Sequence, residues 1–198
     1  GKEYYSNGEL KFEGEYINGK RWNGKGYNIK GIIDFEIKEG YGKGKEYYYN
    51  LVLKFEGEYI NGEKNGKGKE YYDNSILKFE GEYINGEKNG KGKEYYSNGE
   101  LEFEGEYLNG KRWNGKGYNI ERIIDFEIKE GNGKAKEYYY NCILKYEGEY
   151  IKGERNGKGK EFYWNGTLIF EGECVRGERN GKGKEYYENN WKLKFEGE

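Results

Sequence analysis

Apolar and polar residues alternate along most of the chain with a period of two. In residues 79–83, FEGEY, the aromatics and the glycine occupy one set of positions and the two glutamates the other. Successive side chains of a β-strand point to opposite faces, so this pattern predicts a strand. Residues 66–72 alternate in the same way, and a turn centred on Asn74-Ser75 separates the two runs. Together they predict a β-hairpin.

This hairpin recurs with a common period of 24 residues, and the phrase NGKGKEYY begins at Asn65, Asn89 and Asn180. Two units, beginning near Gly24 and Gly115, have only 18 residues. The expected units are approximately 1–22, 23–41, 42–64, 65–88, 89–113, 114–132, 133–155, 156–179 and 180–198. We expect residues 1–198 to form one continuous repeat array that is a segment of a longer chain, since the sequence begins and ends inside a repeat.

Charge predicts the register of the hairpins. A two-residue turn at Asn74-Ser75 sets lysines opposite glutamates and glycine opposite glycine. The predicted pairs are Lys69–Glu80, Lys67–Glu82 and Gly68–Gly81 in one unit, and Lys160–Glu171 and Lys158–Glu173 in another. In the last unit, Lys184 meets Glu196 only if the turn gains one residue, which predicts a three-residue loop or bulge at 189–191.

The two short units obey the same rule. Turns at Lys30-Gly31 and Glu121-Arg122 give the pairs Lys25–Glu36 and Lys116–Glu127. Phe35 and Phe126 then take the place of the strand glycine, and each short hairpin should leave a notch along one margin of the sheet. The predicted fold class is all-β, an elongated single-layer antiparallel β-meander of tandem β-hairpins. One face carries aromatics and glycines, and the other carries a ladder of lysines and glutamates.

The composition agrees with a thin sheet. Only 33% of the residues are hydrophobic and 36% are charged, yet 24 tyrosines, 9 phenylalanines and 4 tryptophans supply apolar area that disordered chains lack. The net charge of −2 provides no single-sign field for nucleic acid or anionic lipid. Cys142 and Cys174 lie at different places in their repeats, so we interpret both as free thiols.

Catalysis is disfavoured. The chain has no histidine, which removes the commonest general base and metal ligand. Glutamate pairs such as Glu80 and Glu82 recur in nearly every unit opposite lysines, which indicates a structural ladder instead of a glycosidase pair. The string GKGK lacks the spacing of a phosphate loop. We therefore expect no enzymatic activity, catalytic residue, metal or cofactor.

Residues Phe79 to Gly92, FEGEYINGEKNGKG, resemble the MORN (membrane occupation and recognition nexus) repeat, whose pattern is roughly YEGEW-x-NG-x-x-x-G-x-G. The resemblance extends over essentially the whole chain. Residues 33–37 of the first short unit depart from it, and Cys174 replaces a tyrosine. The resemblance implies an extended antiparallel sheet with a groove, found in proteins that scaffold, dimerise or dock at membranes.

These observations favour a non-catalytic scaffold that binds protein partners through its aromatic face. The candidate contact residues are Phe55, Tyr59, Phe79, Tyr83, Phe103 and Tyr107, together with Trp22 and Trp113 beside the short hairpins. The alternative for the rings is mutual packing, and for the tryptophans it is filling of the notch.

Docking to anionic phospholipid and self-association through the end strands are the competing functions. Nucleic-acid binding is not expected, because the lysines are predicted to lie beside glutamates on the opposite face of the sheet from the FEGEY rings. The expected location is the cytoplasm, with membrane or cytoskeletal association as an alternative.

Overall fold

A computed structural model describes residues 1–188 and 192–198. It contains eighteen antiparallel strands in one open, single-layer sheet, and its described residues include no helix. The predicted fold class, an all-β meander of hairpins, is confirmed. The chain divides into two compact units, Gly1–Gly99 and Glu100–Glu198.

The first unit contains β1 (Lys2–Tyr4), β2 (Leu10–Ile17), β3 (Lys20–Tyr27), β4 (Ile33–Lys38), β5 (Tyr41–Tyr47), β6 (Leu53–Ile60), β7 (Glu63–Tyr71), β8 (Leu77–Ile84) and β9 (Glu87–Tyr95). The second contains β10 (Leu101–Leu108), β11 (Lys111–Tyr118), β12 (Ile124–Lys129), β13 (Asn132–Tyr138), β14 (Leu144–Ile151), β15 (Glu154–Phe162), β16 (Leu168–Val175), β17 (Glu178–Tyr186) and β18 (Leu193–Gly197).

The register predicted from charge is confirmed. The observed pairs include Lys69–Glu80, Lys67–Glu82, Gly68–Gly81, Lys160–Glu171, Lys158–Glu173, Lys25–Glu36 and Lys116–Glu127. Lys184 also pairs with Glu196, as predicted. The predicted loop at 189–191 lies outside the described residues.

The two-residue turn predicted at Asn74-Ser75 is wrong. The Tyr72 N–H donates to the Ile76 carbonyl at 2.8 Å, so the loop contains three residues, 73–75. Ser75 has a φ of 68°, which is typical of a type I turn followed by a left-handed residue. The predicted residue pairs are nevertheless observed, because a bulge near Tyr71 shifts the pairing by one residue and cancels the effect of the longer loop. The turns predicted at Lys30-Gly31 and Glu121-Arg122 are corrected in the same way.

The core consists of aromatic rings packed over strand glycines on one face of the sheet. A Cβ atom on Gly81 would lie 2.6 Å from Cζ of Phe79 and 2.7 Å from the Cα atom of Gly92. Tyr83 packs edge-on against Phe55 and Phe79, with centroid distances of 5.4 and 5.5 Å. Rings therefore fill the space that glycines leave, and no second layer is needed.

The short hairpin of the first unit is closed over by its neighbours. The edge of the Trp22 ring lies against Gly40, whose N–H donates to the Trp22 carbonyl at 2.7 Å. Lys20 forms a 2.6 Å ion pair with Glu63 across the short hairpin. The predicted notch is thus filled. Phe35 covers Gly26 and stacks on Phe12, with the ring centroids 6.2 Å apart.

We expect Ser75→Gly to stabilise the protein by about 1 kcal/mol, because glycine removes the cost of a left-handed backbone at an L-residue. The exposed Ser75 side chain contributes little packing. Chemical denaturation measures the change. Gly99, at the equivalent position with a φ of 87°, provides the matched reverse variant: Gly99→Ser should destabilise by a similar amount.

We expect Gly81→Ala to destabilise by about 1–3 kcal/mol, because the added methyl group would overlap the Phe79 ring and the neighbouring strand. Ala135 occupies the corresponding place in its ladder opposite Gly148. The control variant Ala135→Gly should therefore change stability by less than about 1 kcal/mol. Equal effects of the two substitutions in denaturation experiments would refute the ring-over-glycine account.

Candidate functional site

Each of the six ring residues predicted to contact partners lies on the ring face of its own unit, but five of the six are buried. Phe55, Phe79 and Phe103 have no exposed surface. Tyr83 and Tyr107 are 2% and 4% exposed, and Tyr59 is half-buried. These rings pack against one another and against strand glycines, so the aromatic face presents little free ring surface.

A row of cations covers the rings, which sequence reasoning missed. In six hairpins the cationic group of a lysine or arginine lies 4.0–4.8 Å from the centroid of a ring. The six cations are Arg21, Lys64, Lys88, Arg112, Arg155 and Arg179. The prediction that the lysines lie on the opposite face of the sheet from the FEGEY rings is therefore correct for Lys67 and Lys69. It is wrong for the cations of this row. The row could have been found from the register, because Lys88 pairs with Tyr83 and both side chains therefore lie on one face.

Glutamates hold these cations in place. Arg155 donates to both carboxylate oxygens of Glu137, at 2.8 and 2.5 Å, and the Tyr150 hydroxyl donates to the same carboxylate. Burial alone would raise the pKa of Glu137, but these hydrogen bonds outweigh burial and lower it. Burial and a hydrogen bond to Glu3 raise the pKa of Tyr16 to about 12. Each cation of this row therefore already has a carboxylate partner.

The two tryptophans lie at a margin, apart from the ring row. Both are half-buried, and the edge of each ring touches the turn of the following short hairpin, at Gly40 for Trp22 and at Gly131 for Trp113. The packing contact is thus present at both sites, while a partner contact through the remaining ring surface stays a prediction.

The opposite face of the second unit carries two parallel rows of charges. One row crosses β13 to β18 through paired residues of alternating sign: Lys136, Glu147, Lys160, Glu171, Lys184 and Glu196. The other row lies two residues further along each strand: Lys134, Glu149, Lys158, Glu173, Lys182 and Glu198. We call these two sets the charged rails.

A line of small residues separates the charged rails. Gly148, Gly159, Gly172, Gly183 and Gly197 are paired in succession across β14 to β18. A Cβ atom added to any of these glycines would point to the ring face, so only backbone lies between the charged rails. The result is a groove of about 950 Å³ that begins beside Asp125 and Phe126 of β12 and extends to β18. The charged rails and the glycine line supply nearly all of its lining.

The chemistry of the groove is that of paired charges. Apart from Asp125, Phe126 and Ala135, its side chains are lysines and glutamates. The part of the chain that the structure describes has no cluster of three or more metal-ligating His, Cys, Asp or Glu residues. Cys142 and Cys174 are free thiols. Cys174 is buried on the ring face, where burial raises its pKa, so it is not an activated nucleophile. The groove is an extended surface with a regular pattern of charges.

A search of curated proteins found no match to this chain. The described residues include no helix long and apolar enough to cross a bilayer. The family model of the MORN repeat matches residues 55–75, 79–100, 146–167 and 170–192. The predicted number of nine repeats goes beyond these four matches and stays a prediction. MORN repeats are interaction modules, generally without catalytic activity and often found in membrane-associated proteins. The four matches, within an open sheet of tandem hairpins, show that the chain contains MORN repeats.

Proposed function

We propose that the chain is a non-catalytic protein-interaction scaffold whose partner lies in the groove between the charged rails. The observation that carries this proposal is the groove itself, about 950 Å³ in volume and open along six strands of the second unit. The ring face is the less favourable surface, because its rings are buried and its cations already have carboxylate partners. The charged face is open to solvent.

The ion pairs of the groove favour exchange with a partner. Lys182 and Glu198 are 3.6 Å apart, and their side chains are 79% and 72% exposed. An exposed pair of this kind contributes only about 0–1 kcal/mol, so replacing it with a contact to a partner costs little. The alternating signs also suppress general attraction to polyanions, which favours a patterned protein partner over nucleic acid or an anionic membrane.

A photoreactive amino acid in place of Lys158 should cross-link a protein from an extract of the source cells, whereas the same group in place of Lys129 should not. Both positions are exposed, but Lys129 lies outside the groove. The affinity of the purified cross-linked partner is then measured by calorimetry. We expect Lys158→Gln with Lys160→Gln to weaken binding about tenfold, as the loss of two charged contacts would.

Three comparisons test this assignment. The matched double variant Lys129→Gln with Lys152→Gln removes two exposed charges of the same unit outside the groove and should leave the affinity unchanged. A partner sensitive to Trp113→Phe but not to the groove lysines would place the contact at the tryptophan margin and overturn the proposal. Binding only to anionic vesicles, or only to a second copy of the chain in light scattering, would replace protein scaffolding with membrane docking or self-association.

A further inference from the structure

The charges in the groove are arranged in bands. Along each strand, the two rails present the same sign: β15 contributes Lys158 and Lys160, and the adjacent β16 contributes Glu171 and Glu173. Neighbouring strands lie about 4.8 Å apart, so bands of like charge repeat about every 9.6 Å along the groove. A ligand that matches both rails must present charges with this repeat.

The width of the groove limits the ligand. Positions two residues apart on one strand are separated by about 6.8 Å, and this is the backbone distance between the rails. An α-helix with its side chains is about 10–12 Å in diameter and cannot descend to the glycine line. A single extended polypeptide can reach it, because only backbone lies between the rails.

The charge repeat distinguishes the possible extended conformations. Side chains on one side of a β-strand recur about every 6.8 Å, which falls out of phase with the bands after one step. A polyproline II helix has three residues per turn and rises about 3.1 Å per residue, so every third side chain recurs at about 9.3 Å on the same side. Over the five strand spacings from β13 to β18, the accumulated mismatch is less than about 1 Å.

We propose that the groove binds a polyproline II segment of a partner protein that carries a charged residue at every third position. Acidic residues on one side of this helix would face the lysine bands of one rail, and basic residues on a second side would face the glutamate bands of the other. About eight residues span the groove. Because polyproline II has no internal hydrogen bonds and is preformed in proline-rich chains, little ordering entropy opposes binding.

This inference rests on the proposed function and names its partner by chemistry. The test uses the full chain and a synthetic twelve-residue peptide of four Glu-Lys-Pro triplets. A control peptide has the same composition, with its charges placed at irregular intervals of two and four residues. We expect calorimetry to show that the regular peptide binds about tenfold more tightly than the control. The difference corresponds to a few weak ion pairs that form only when the charges of the peptide align with the charge bands of the groove.

Two further measurements locate and characterise the site. Lys158→Gln with Lys160→Gln should weaken binding of the regular peptide about tenfold, and Lys129→Gln with Lys152→Gln should not change it. Replacement of every proline in the peptide by glycine keeps the charges but removes the preformed helix, so it should also weaken binding.

Equal affinities for the regular and irregular peptides, or a regular peptide indifferent to the groove lysines, would overturn the polyproline II inference. The proposed function would still stand if the cross-linked partner depends on those lysines. The proposed function would be refuted separately if substitution of those lysines left the affinity of the cross-linked partner unchanged.

Discussion

The contact between an aromatic ring and the glycines of neighbouring strands is the constraint on which the other features of this sheet depend. A Cβ atom at Gly81 or Gly68 would lie closer than 3.0 Å to ring or backbone atoms, so the sequence cannot place a larger residue there without displacement. In return, Phe79 becomes fully buried within a single layer. The apolar face closes on itself, which frees the other face from any role in the core.

The same constraint creates the groove. A row of residues without side chains must run across the sheet wherever rings cover it, and the two flanking rows on the opposite face then stand apart. Period-two alternation makes those flanking rows polar, and antiparallel pairing makes them alternate in sign. The groove is therefore a by-product of how the core is built, and its spacing follows from strand geometry.

Much of this could be predicted from the sequence. Alternation gave the strands, and charge pairing gave the register, because both depend on local periodicity. The turns were misjudged because an extra loop residue at 73–75 and a bulge near Tyr71 compensate each other, and pairing charges cannot detect two cancelling shifts. Alternation alone does not reveal the cations over the rings, because their position follows only from the register, which pairs Lys88 with Tyr83 on one face. The groove depends on side-chain volumes across six strands, which no single repeat displays.

The short hairpins carry a further consequence for how the chain finds its native arrangement. Residues 55–64 and 79–88 have the identical sequence FEGEYINGEK, so a folding chain could exchange one hairpin for another at little energetic cost. Phe35 and Trp22 remove this degeneracy locally, because a ring at the glycine position and a shortened neighbour fit only at a short hairpin. The short hairpins therefore fix the register of the repeats beside them. Slippage of one hairpin into the place of another is limited to the repeats that lie between two short hairpins.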